Sequence, residues 1–169
     1  MPSLLCTSIR EKIEEQIDMT VHLISLLPGD RLAWQPGIPN TLSAETLLGH
    51  LLECLAGFCA VLYAIEPKRL SHLSDLRALP VNHECDSAEA TARLAIYRAH
   101  IVQAFELLDD ARLGERVPTI FTPHGETLLT LLLGNLEHLI NHKHQLFTYL
   151  KWLGVPVATS DLYRLRGYN

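Results

Sequence analysis

The sequence predicts an all-α chain, a four-helix bundle with long ordered loops. Three observations carry that expectation. Four long segments repeat apolar residues at three- and four-residue steps, strand character is confined to one short run, and no internal repeat is present. At 169 residues, 48% hydrophobic and 20% charged, the chain is long enough to bury one sizeable core, and a single domain over residues 1–169 is expected.

Residues 3 to 27 read as the first helix: Leu4, Ile9, Ile13, Ile17, Val21 and Ile24 form an apolar stripe that leaves Glu11, Lys12, Glu14 and Glu15 outside it. Leu27-Pro28-Gly29-Asp30 ends it, and the loop that follows contains Trp34, expected to plug an end of the core. Ser43 or Thr41 caps a second helix that runs to Ile65, before Pro67, with Leu48, Leu51, Leu52, Leu55, Phe58, Cys59 and Leu62 on its apolar arc. His50 sits at the edge of that arc. A polar connection from Glu66 to Cys85 follows, with a helical turn expected around Leu70 to Leu79.

Asp86 is an N-cap with Glu89 three residues on, opening a third helix to about Asp109 whose apolar positions are Ala92, Leu94, Ala95, Ile96, Ala99, Ile101, Val102, Phe105 and Leu108. Val117 to Phe121 is a short β-like run closed by Pro123-His124-Gly125. The fourth helix, from Thr127, stops at Gly154 with Pro156 beyond. The tail with Tyr163, Arg164, Arg166 and Tyr168 is expected to lie across the bundle surface.

Bulk numbers narrow the function classes. A net charge of −5 and a pI near 6.0 oppose sequence-independent nucleic-acid binding, since the 14 Lys and Arg form no run. No tract is read as the roughly 20 apolar residues of a membrane span, and the N-terminus turns charged too early for a signal peptide. A cytoplasmic location is the default expectation. Cys54 and Cys59 diverge by about 140° round one helix and cannot bridge each other, so Cys6, Cys54, Cys59 and Cys85 are expected as reduced thiols.

The fourth helix carries His138, His142 and His144 within seven residues. His138 and His142 stand one turn apart, about 40° round the helix, and two such imidazoles can close on one divalent metal. His144 points about 200° away from His142 and is excluded. Gln145 and Tyr149 run along the same seam as the pair, between an apolar arc (Leu132, Leu136, Leu139, Ile140, Leu146, Phe147, Leu150, Leu153) and a wetter side. Lys143 falls inside the apolar arc and is expected to snorkel. Spacing alone fits equally well two half-buried boundary residues, and His50 alone fits a hydrogen-bonded core histidine.

The residues LLGHLLE around His50, and EHLINHKHQLFTYLKWLGVP from Glu137 to Pro156, resemble two motifs of the DinB/YfiT-like metalloenzymes. The family's late helix typically reads H-E-x-H-H-R-G-Q-L and closes with L-G-x-P. His138, His142, Gln145-Leu146 and Leu153-Gly154-Val155-Pro156 match it, while Leu139, Asn141 and His144 depart from it. The likeness in helix order and length spans nearly the whole chain. The resemblance implies an up-down-down-up bundle and a divalent metal, nickel or zinc, held by His50, His138 and His142 with an open coordination position. It also implies metal-assisted thiol S-transfer or hydrolysis on a small molecule, with a low-molecular-weight thiol as a candidate partner and a homodimer as the assembly. Glu53, Gln145 and Tyr149 are candidates for lining the pocket. Cys54, four residues after His50, is either a small packing residue or a fourth ligand that would close the site. The competing class is a non-catalytic helical bundle whose metal is structural or absent.

Overall fold

The computed structural model describes residues 3–119 and 122–163. Four long helices build the bundle: α1 (Leu4–Ser25), α2 (Ala44–Ile65), α4 (Ser87–Phe105) and α5 (Leu128–Trp152). A short α3 (His72–Arg77) lies in the connection after α2, where the sequence suggested a helical turn. Strands β1 (Arg116–Val117) and β2 (Glu126–Thr127) pair antiparallel between α4 and α5. The β-like run was expected at 117–121, so its paired part is shorter and one residue earlier; Ile120 and Phe121 lie outside the described residues, as do Arg164, Arg166 and Tyr168.

Side-chain caps set three of the four starts. Ser43, and not Thr41, accepts from the Thr46 N–H at the head of α2. Asp86 accepts from the Glu89 N–H at the head of α4, and Thr127 from the Thr130 N–H at the head of α5. Gly154, at φ +79°, ends α5, with the Val155 N–H returning to the Leu150 carbonyl.

Helix directions follow from contacts at the bundle ends. Cys85 N–H donates to the Glu45 carbonyl at the starts of α4 and α2, and Arg112 beyond α4 reaches the Ile65 carbonyl at the end of α2, so these two helices are parallel. Asp110, just past α4, accepts from the Cys6 N–H at the start of α1, which makes α1 and α4 antiparallel. His22, in the last turn of α1, lies 2.7 Å from Asp161, beyond the end of α5, so those two helices are parallel. The order is up-down-down-up. α2 packs on both α4 and α5, as does α1, leaving α1 and α2 on one diagonal of the bundle. By length and composition α2 could cross a membrane, but 61% of the relevant window is buried inside the bundle, as befits its core helix.

The core departs from the sequence reading in five places. Leu4 is 81% exposed, since it begins α1 before the helix meets a partner. On α4 the buried stripe is Ala90, Leu94, Tyr97, Ile101, Ala104 and Phe105, while Ala92, Ala95, Ile96 and Ala99 face out. Alanine marks helix propensity as readily as burial, so an Ala-rich helix blurs its own inner face. Ile140 is 36% exposed. Lys143 does not snorkel: it is 1% exposed, and its ammonium donates to Gln16 Oε1 at 2.5 Å and to the Leu162 carbonyl at 2.8 Å. The partners come from α1 and the C-terminal segment, two places a helical wheel does not contain. Glu15, placed outside the α1 stripe by the wheel, is likewise buried beside Gln16 and Thr20.

Candidate metal centre

The antiparallel contact between α2 and α5 brings His50 opposite His138 and His142. His50 Nε2 lies 3.0 Å from His142 Nε2 and 3.3 Å from His138 Nε2. The three are half-buried and form a group that could hold a metal ion. His144 is exposed, 6.0 Å from the Phe147 ring, and takes no part.

Hydrogen positions follow from the partners. Tyr149 has one hydroxyl hydrogen, and it goes to the Leu42 carbonyl at 3.0 Å, which can only accept. Gln145 must then donate its amide to Tyr149 (2.9 Å), which turns its carbonyl oxygen toward His142 Nδ1 at 3.0 Å. His142 therefore carries its hydrogen on Nδ1. His50 is set in the same way: its Nδ1 lies 3.0 Å from Glu53 Oε2 and 2.6 Å from Asn82 Oδ1, both acceptors. Both Nε2 atoms are left as bare lone pairs, facing each other at 3.0 Å. A hydrogen on His138 Nε2 can serve only one of them. Two lone pairs at this separation repel, and a shared cation relieves the repulsion. Nitrogens bonded to one ion at about 2.0–2.1 Å, with angles of about 90–110° between them, stand roughly 2.9–3.4 Å apart. The observed 3.0 and 3.3 Å fall in that range, so the residues fit the group.

Electrostatics point the same way. Burial, with the neighbouring His50 imidazole secondary, holds His138 below the ordinary histidine value, and burial does the same to His142 against the opposing pull of Gln145. Neutral imidazoles are the form a metal takes. Burial also raises the Tyr149 hydroxyl, keeping it protonated as the relay requires.

Cys54 is buried, and its thiol, raised to about 12 chiefly by desolvation, donates to the His50 carbonyl at 3.6 Å. It is absent from the converging group. Glu53 is 42% exposed and reaches His50 from the solvent side. Trp34 packs edge-on against Tyr149, with ring centres 5.2 Å apart, and closes the relay's end of the bundle. Sequence reasoning missed Asn82. It sits in a loop without a motif, at φ +57°, a conformation that asparagine adopts more easily than other side chains.

A cleft of about 750 Å³ lies between α2 and α5, with Gly57, Ala60, Ala64, Leu131 and Asn135 among its walls and Arg77 at its edge. Gly57 is seven residues after His50, and Asn135 three before His138, so the cleft continues the faces that carry the histidines.

The fold is DinB-like. The crystal structure of a DinB-like protein from Bacillus subtilis matches with a TM-score of 0.66, covering 89% of this chain and 96% of that one at 22% identity. No protein family's sequence profile matches the chain, and no curated protein does.

Proposed function

We propose that the chain is a metal-dependent enzyme of the DinB-like class, acting on a small molecule by thiol S-transfer or hydrolysis, with His50, His138 and His142 as ligands. The observation that carries this reading is the convergence of three Nε2 atoms, two of which, on His50 and His142, have their lone pairs aimed by fixed Nδ1 partners. Nickel or zinc suits three imidazoles. Such an ion supplies Lewis acidity, making a thiol or water that meets it more acidic.

The protein's own share of the work is orientation. Glu53 and Asn82 hold the His50 ring, and Gln145 holds the His142 ring. The cleft receives the apolar part of the substrate, and its small side chains on both helices leave room for it. A low-molecular-weight thiol approaches at the histidine end. The buried thiols of Cys54 and Cys59, raised to about 12, stay protonated and do not compete as nucleophiles. A homodimer in a reducing compartment completes the reading.

Metal analysis of protein purified without a histidine tag tests it first. About one equivalent of nickel or zinc is expected, lost in His138→Ala. If that variant keeps both the metal content and the thermal stability of the parent, the site does not exist. If metal binds but neither thiol nor water exchange can be detected at it, the chain is a non-catalytic bundle with a structural ion.

A further inference from the structure

A second group of potential ligands lies one loop away from the histidine cluster. His83, Cys85 and Glu89 each bring a ligand atom within 4.8 Å of the other two. We propose that these three form a separate cation site, taking a divalent ion of the zinc class through an imidazole nitrogen, a thiolate and a carboxylate oxygen.

The backbone that presents them is fixed from two sides. The loop before α4 lies so close to α2 that any Cβ at Gly49 would run into the His83 carbonyl. Asn82 N–H donates to the Gly49 carbonyl at 3.1 Å, and Cys85 N–H to the Glu45 carbonyl at 3.2 Å. Glu89 sits in the first turn of α4, its own N–H held by Asp86 Oδ1 at 2.7 Å. Two ligand carriers are therefore pinned to α2 and the third rides on α4, before any ion arrives.

The polar groups are incompletely used. His83 Nδ1 is buried without a partner, and His83 Nε2 lies 2.9 Å from Glu89 Oε1. Cys85 is 2% exposed, and its thiol donates to the Asp86 carbonyl at 3.4 Å. Desolvation and the nearby Glu89 and Asp86 carboxylates push this thiol up to about 12, so it is not a nucleophile by itself. The same carboxylates that oppose a bare thiolate favour a cation beside it. Arg93 opposes that cation, with Nη1 3.7 Å from Glu89 Oε1, but its Nη1 is bonded to the Pro80 carbonyl and its Nη2 to Tyr97 Oη. On binding, the Cys85 S–H bond breaks, the proton leaves to solvent and a sulfur–metal bond forms, with no change of oxidation state. Asn82, whose Oδ1 accepts from His50 Nδ1, is next to His83, so filling this site also steadies one ring of the histidine cluster.

Cobalt(II) added to the full-length untagged protein is the probe, because thiolate ligation gives near-ultraviolet charge-transfer absorption that imidazoles alone do not. That band is expected in the parent and in His138→Ala, and is expected to vanish in Cys85→Ser. Equilibrium dialysis with zinc should give about two equivalents for the parent and about one for either variant. Absence of the band in the parent, or its survival in Cys85→Ser, overturns the proposal, and survival would point to another thiol. Because Cys85 is buried, Glu89→Gln and His83→Gln serve as a second arm: each should weaken one equivalent about tenfold or more. Unchanged zinc titrations in both also overturn it.

Discussion

Gln145 looks like an ordinary polar residue on a helix seam, yet a backbone carbonyl two hydrogen bonds away decides which of its ends faces His142. The Leu42 carbonyl orients Tyr149, Tyr149 orients Gln145, and Gln145 selects the imidazole tautomer. Partners of this kind typically contribute 10–100-fold to metal affinity. Gln145→Leu is therefore expected to weaken metal binding by about that factor with the helical circular dichroism unchanged, and Tyr149→Phe to weaken it less, because Gln145 is still there to accept from His142 Nδ1 although its orientation is no longer fixed; equal affinity in the parent and Gln145→Leu would refute the relay. Lys143 is the other residue whose role a single side chain defines. Its amine is lowered from 10.5 to about 8 by desolvation. Between these values the unfolded chain binds more protons than the folded one, so this group makes stability rise with pH from about 8 to 10.5. The buried thiols act oppositely above 9.0, since Cys54 and Cys59 are raised to about 12 and hold protons that the unfolded chain loses. Comparison with Lys143→Met isolates the lysine: the melting temperature of the parent should gain on the variant as pH rises from 7.5 to about 9.5. A difference independent of pH would show that the amine is not desolvated.

At the scale of elements, the register between α2 and its neighbours does the positioning. α2 meets α5 so that His50 falls between two residues one turn apart, and it meets the loop before α4 at Gly49. The missing side chain at 49 is required by the nearness of backbone on backbone, which cannot yield as a flexible side chain would. Gly49→Ala is expected to destabilise by about 1–3 kcal/mol and, by lifting Asn82 from His50, to lower metal affinity at the histidine cluster as well. Chemical denaturation and metal titration of one preparation measure both. Asp86→Ala removes the α4 cap and should cost about 1 kcal/mol, without the metal effect if the loop stays on Gly49.

Across the whole molecule, a metal between α2 and α5 couples to folding, because the ligands meet only when the two helices have packed. An ion at about 100 times its dissociation constant stabilises the folded state by about 2.7 kcal/mol. For a chain of this size each kcal/mol moves the melting temperature by about 2–4 °C. Stripping the ion with a chelator should therefore lower the midpoint by about 5–10 °C, and nickel or zinc should restore it. A midpoint indifferent to both would count against the site.

The four long helices were legible in the sequence because each buries a stripe with the helical period, and Asp86 and Gly154 are local signals that need no partner to be read, whereas Ser43 stood open against Thr41 until the structure chose between them. His138 and His142 were legible for the same reason: one turn of one helix already places them together. His50 could be joined to them from the sequence only by resemblance, since no periodicity within α2 says what α2 will face. Asn82 and the His83–Cys85–Glu89 group were not legible, because a loop without repeating pattern takes its shape from the surface it lies on, here the bare backbone at Gly49. The burial of Lys143 is of the same kind, for its acceptors arrive from α1 and from the chain's last segment. The sequence by itself determined the long elements and the inward faces of α2 and α5 in outline, through interactions a few residues long, but not the inner face of the alanine-rich α4. Only the tertiary structure decided which faces meet, in what register, and with which hydrogens turned toward the site, because those depend on contacts between residues as far apart as 50 and 142.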